Sequence, residues 1–102
     1  MKSEVIDIEK LVDIQSEAVV SRTLMQSDGG TVTIFAFDQG QSLSEHTAPF
    51  DAMVQIIKGK MEVVLGGEIH TVECGSSIIM PANVPHALSA LEPSKMLLTM
   101  IR

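Results

Sequence analysis

Apolar residues in this chain fall in short blocks separated by turn residues. Thr31-Val32-Thr33-Ile34-Phe35-Ala36-Phe37 is one such block, and Ala52-Met53-Val54-Gln55-Ile56-Ile57 is another. Lys60 to Leu65, Glu68 to Val72, Ser77 to Met80 and Lys95 to Ile101 continue the series. Between the blocks lie Asp28-Gly29-Gly30, Gln39-Gly40, Lys58-Gly59-Lys60, Gly66-Gly67, Cys74-Gly75, the stretch from Pro81 to Pro85, and Glu92-Pro93-Ser94. Short β-branched runs bounded by glycine and proline read as strands. Their even spacing predicts an all-β sandwich or barrel. Several blocks are apolar on both faces, which predicts cover on both sides, by a second sheet or by a partner subunit. Toward the N-terminus, Glu4 to Ile8 reads as a short strand. Ile8, Leu11 and Val12 fit one helical turn, and Glu17 to Met25 reads as a further strand.

Composition narrows the picture. A chain of 102 residues, 45% of them apolar, fits one compact domain spanning 1–102. No run of eighteen apolar residues exists, so no membrane span is expected. The mixed-charge start Met1-Lys2-Ser3-Glu4-Val5 lacks a secretory apolar stretch, and a cytoplasmic protein is expected. The net charge of −6 comes without a basic cluster, so a nucleic-acid backbone would be repelled. Cys74 is the single cysteine, which excludes an internal disulfide and a zinc ribbon. There is no Tyr and no Trp, so a phenolic general acid is missing and stacking platforms are few. Seven methionines offer adaptable apolar packing instead.

Two segments carry the candidate chemistry. One runs from Gly40 through Gln41-Ser42-Leu43-Ser44-Glu45-His46-Thr47-Ala48 to Gly59. The other runs from Gly75 through Pro81-Ala82-Asn83-Val84-Pro85 to His86. In both, the histidine follows a glycine at the start of a strand, so both are placed to point into one barrel.

The two segments resemble the two motifs of the cupin family of small β-barrels. The first family motif is a glycine, five residues, His-x-His, three or four residues, a glutamate, six residues and a glycine. Gly40, His46 and Gly59 match it, while Ala48 and Ala52 stand at the second histidine and the glutamate. The second motif is a glycine, five residues, Pro-x-Gly, two residues, a histidine, three residues and an asparagine. Gly75, Pro81 and His86 match, with Asn83 in place of the glycine and Ala90 in place of the asparagine. Asparagine tolerates the left-handed backbone that a glycine supplies. The resemblance implies a double-stranded β-helix, or jelly-roll, barrel with motif 1 at about 40–59 and motif 2 at about 75–90. Activity does not follow, because one fold hosts many functions.

The cupin metal site uses three histidines and a glutamate, a set suited to iron, manganese, nickel or zinc. Here two ligands are replaced by alanine. His46 and His86 remain as candidate ligands, with Asp51 as the nearest substitute carboxylate. Asp51 lies one residue from the glutamate position, and a one-residue shift along a strand changes the face. The other expectation is a metal-free pocket for a small, partly apolar ligand. His46 and His86 would be its polar anchors, and Phe50, Met53, Gln55 and Met80 its lining. A metal-dependent dioxygenase or isomerase using His46, His86 and Asp51 is the alternative. Glu45 is expected to face away from His46, and His70 is expected on the surface. The resemblance further implies a homodimer, often with the N-terminal strand added to the neighbour's sheet. Pairing of that kind removes exposed edges.

Overall fold

The computed structural model describes residues 3–102. A 3-10 turn at Ile8–Leu11 precedes nine strands among these residues. They are β1 (Val19–Ser27), β2 (Gly30–Phe37), β3 (Ser42–His46), β4 (Asp51–Lys58) and β5 (Lys60–Leu65), then β6 (Glu68–Glu73), β7 (Ser77–Met80), β8 (His86–Ala90) and β9 (Ser94–Ile101). One sheet has the order β1-β2-β9-β4-β7 and the other β3-β8-β5-β6, with every pair antiparallel. The chain crosses between the sheets repeatedly, which is the expected jelly-roll barrel.

Strand alternation decides what lies inside. From the five-stranded sheet Phe37, Val54, Ile56, Met80 and Met96 turn inward, and from the four-stranded sheet Met61, Val63, Val72, Leu88 and Ala90 meet them. All ten are buried, so burial of their apolar surface is the main force closing the barrel. Ser94 is fully buried in this interior. Its hydroxyl accepts from Lys60 N at 3.0 Å and lies 2.7 Å from Glu92 O, fastening β9 to the start of β5. Gly59 adopts φ +84, and a Cβ there would overlap Pro93 O and the Ser94 hydroxyl. The glycine closing the first motif is therefore fixed by both backbone and packing.

The other face of the five-stranded sheet is covered only in part. Ile34 and Ala36 form a second apolar cluster with Val12, against which Ile8, Leu11 and Ile14 pack. The Lys95 ammonium is buried and donates to Glu9 O, pinning the 3-10 turn onto β9. The expected helical turn is present in this form. The strand expected over Glu4 to Ile8 is not: residues 3–7 have no regular secondary structure. Glu4, Ile6 and Ile8 line a hollow on the sheet's outer face together with Leu24, Met25 and Val32, and do not extend a strand edge. No strand lies alongside to complete the segment's hydrogen bonds. The strand expected over Glu17 to Met25 starts at Val19 instead. Glu17 has φ 55 and donates its N–H to the Asp38 carboxylate, so it belongs to a turn. Among the described residues no helix is long and apolar enough to cross a membrane.

Candidate functional site

The apolar-block reading passes over two strands, and they are the two that carry His46 and His86. β3 reads Ser-Leu-Ser-Glu-His and β8 reads His-Ala-Leu-Ser-Ala, too short and too polar to stand out. Their ladder makes them strands, with Leu43 opposite Leu88 and His46 opposite His86. One residue separates the partners on β8, while two separate them on β3. β3 therefore carries an extra residue at Ser44–Glu45, a β-bulge. Regular alternation would send Leu43 and His46 to opposite faces. The bulge lets both face the interior.

The two imidazoles meet at this point. Their Nε2 atoms lie 3.0 Å apart, with ring centroids 4.2 Å apart and planes inclined at 70°. Each Nδ1 is engaged by the main chain two residues earlier: His46 Nδ1 with Ser44 O at 2.8 Å and His86 Nδ1 with Val84 O at 3.1 Å. A carbonyl oxygen only accepts, so each Nδ1 carries its hydrogen. A neutral ring then leaves its Nε2 bare. Two bare lone pairs do not approach to 3.0 Å without a hydrogen or a cation between them. The pair thus converges two acceptor atoms on one point, where a single donor or cation brought from outside would satisfy both. The supports differ: His86 is 7% exposed on an interior strand, and His46 is exposed on an edge strand. On the other side of His86, Leu65 is its ladder partner on β5.

The remaining motif positions follow the expected path. Asn83 adopts φ 66, the left-handed conformation, and its N–H donates to Ala48 O at 2.8 Å. Ala52 lies on the inward face of β4, between Met80 on β7 and Met100 on β9. The positions that would complete a cupin metal site therefore present methyl groups.

The other candidates are dispersed. Met80 is buried in the core. Met53 and Gln55 alternate with the inward-facing Ala52, Val54 and Ile56, so they lie on the sheet's outer face. They do not share a pocket with the histidines. Phe50 sits in the β3–β4 turn with the Arg102 guanidinium 5.5 Å above its ring. Asp51 lies in the outer-face register with Ile101, and its carboxylate accepts from Ala82 N at 2.9 Å. It braces the Pro81–Pro85 loop instead of joining the histidines. Among the described residues no group of three His, Cys, Asp or Glu side chains is placed to hold one ion. Of the four positions that hold a metal in the cupin family, the chain keeps the imidazole donors of His46 and His86 and presents methyl groups at Ala48 and Ala52.

His70 also departs from expectation. It pairs with Val63 and shares the inward-turned face of β6 with Val72, so it is half-buried rather than a surface residue. The carbonyls of Ser44 and Val84 were invisible to sequence reasoning, because a main-chain acceptor has no residue type to betray it.

The family model for the cupin domain matches residues 33–102, more than half of the chain. The chain belongs to the cupin domain family. Among solved structures, this cupin is similar to a conserved protein of unknown function from Streptococcus pyogenes. The two are 38% identical with a TM-score of 0.94, over 100% of this chain and 90% of that one. It is also similar to a cupin 2 conserved barrel domain protein from Leptotrichia buccalis, at 35% identity and a TM-score of 0.89. That match covers 92% of this chain and 46% of the other. KdgF from Halomonas sp. shares the fold at 24% identity and a TM-score of 0.81, over 100% of this chain and 96% of that one. No curated protein matches the chain.

Proposed function

We propose that this cupin binds a small, partly apolar molecule at the barrel mouth, with His46 and His86 as its polar anchors. One observation carries the reading: two Nε2 atoms 3.0 Å apart, each on a ring whose Nδ1 is already held by a carbonyl. Such a pair offers lone-pair density to one incoming hydroxyl, acidic proton or cationic group. Ala52, on the inward face of β4, and Leu65, the ladder partner of His86, supply apolar surface inside the barrel. A few convergent polar atoms among apolar side chains are the usual make-up of a small-molecule site. No step of this proposal runs through a metal.

The test uses protein without a histidine tag. Thermal unfolding is followed with a panel of small hydroxyl- and carboxyl-bearing compounds that carry an apolar end. A binder present at about 100 times its Kd stabilises the fold by about 2.7 kcal/mol. That gain should vanish in His46→Ala and in His86→Ala. A compound that stabilises parent and both variants equally overturns the anchoring role. Metal content is measured on the same samples. One tightly held divalent ion per chain, lost in both variants, would favour the metal-dependent enzyme over the binder.

The working form belongs to the same proposal: a homodimer. It is supported by the outer face of the five-stranded sheet, where Met25, Ile79 and Ile101 stay exposed in the single chain. Monomers seldom leave a contiguous apolar patch of this kind uncovered.

A further inference from the structure

Of the three histidines in the chain, His70 is the one that the anchoring pair leaves unused. On β6 His70 and Val72 are sheltered, while Ile69 and Thr71, which alternate with them, are exposed. The ladder partner of His70 is Val63, which stands opposite Leu88 on its other side. In the neighbouring row Leu65 stands opposite Glu68 on one side and His86 on the other. His70 and His86 thus belong to adjacent rows of one inward-facing wall. Two strand spacings across and two residues along put their Cα atoms about 12 Å apart on that wall. Leu65 lies between them.

The ring of His70 is held differently from the other two. His46 and His86 each give Nδ1–H to a carbonyl. Among the described residues no group hydrogen-bonds to the ring of His70. A neutral imidazole has one donor and one acceptor nitrogen, so His70 keeps both for an arriving group.

The charges select what that group is. Lys58 and Lys95 reach Glu9 on the outer face, Lys60 reaches Glu73, and Lys10 reaches Asp7. Arg22 stands opposite the outward-turned Ile34, and Arg102 lies over Phe50. Among the described residues, therefore, no Lys or Arg turns into the barrel. Glu68 begins the same inward phase as His70. A carboxylate or phosphate entering here would meet no cation and one like charge. A hydroxyl or amino group meets acceptors at both ends of the wall. We infer that His70 is a second anchor, and that the ligand carries a hydroxyl or amino group at each end of an apolar middle. One end is taken by His46 and His86, the other by His70, and the middle lies along Leu65. This rests on the anchoring role proposed for the histidine pair and adds the far contact.

Four probes of one length test it: hexan-1-ol, hexane-1,6-diol, 6-aminohexan-1-ol and 6-hydroxyhexanoate. The diol and the amino alcohol should bind the parent at least about tenfold more tightly than hexan-1-ol, the worth of one further hydrogen bond. The hydroxy acid should bind no better than hexan-1-ol. With three histidines in the chain, the imidazole Cε1–H resonances report each anchor separately. The diol should shift all three, and hexan-1-ol those of His46 and His86 alone. His70→Leu should bring the diol down to the affinity of hexan-1-ol and leave hexan-1-ol unchanged, and His70→Gln should restore part of the gain. If His46→Ala abolishes binding while His70→Leu keeps the diol preference, or if the His70 resonance stays still in the parent, the second anchor falls alone. Tightest binding of the hydroxy acid, or no binding of any probe, also overturns it alone. If His46→Ala and His86→Ala both bind the probes as the parent does, the pair's anchoring role falls and His70's with it.

Discussion

The two histidine segments use the same local device in different mechanical settings. In both, a histidine gives its Nδ1–H to the carbonyl two residues back and turns Nε2 toward the other ring. His86 starts β8, which is paired on both sides, by β3 and by β5. His46 ends β3, which has a neighbour on one side only and carries the bulge. One imidazole is thus set in the frame of the barrel and the other is brought to it by a deformable edge. On the binding role proposed above, one fixed and one adjustable anchor would tolerate some variation in the size of what enters. A site with both anchors on interior strands would not.

The largest effect expected from this contrast is on stability. Leu88→Ala removes a buried side chain from β8 and should cost about 2–5 kcal/mol, as large-to-small core changes do. Leu43→Ala, its ladder partner on β3, is half-buried and should cost no more than about half as much. Urea unfolding of the two variants measures the difference. Equal losses would mean that β3 is as firmly held as β8.

The next effect is smaller and concerns the rings. His86→Ala should cost about 1–3 kcal/mol, because it leaves a buried gap and an unpartnered Val84 carbonyl. His46→Ala, exposed on the edge, should stay within about 0.5 kcal/mol of the parent. Both should abolish ligand stabilisation all the same. If His46→Ala proved the more destabilising of the two, the assignment of fixed and adjustable anchors would be reversed.

The smallest effect leaves the sequence untouched. Amide hydrogen exchange should be faster along β3 than along β8, by about tenfold or more, since edge and bulged segments open at lower free energy. Matching protection on both strands would remove the basis for calling β3 adjustable.

Much of the barrel was legible from the chain alone. The apolar blocks locate β2, β4, β5, β6, β7 and β9, because their side chains are numerous enough to register as strands. β3 and β8 escape that reading, for they carry one large apolar residue each and owe their strand state to pairing. The N-terminal stretch misled for a related reason. Val5 and Ile6 look like a strand, but the chain meets an open sheet face there instead of an edge. Around the site, His46 and His86 were identifiable from their motif positions. Met53, Gln55 and Asp51 were not separable from them until the phase of β4 was known, and that phase turns all three away.

The sequence by itself determined the cupin barrel, the two histidines and the loss of two ligand positions to alanine. Turn residues and motif spacing are local properties, and local chemistry sets them. Only the tertiary structure decided that the two rings touch at Nε2, that Asp51 braces a loop, and that Met25, Ile79 and Ile101 stay exposed on the outer face of the five-stranded sheet. Each of these depends on register between strands far apart in the chain, where one extra residue at Ser44–Glu45 decides which face His46 takes.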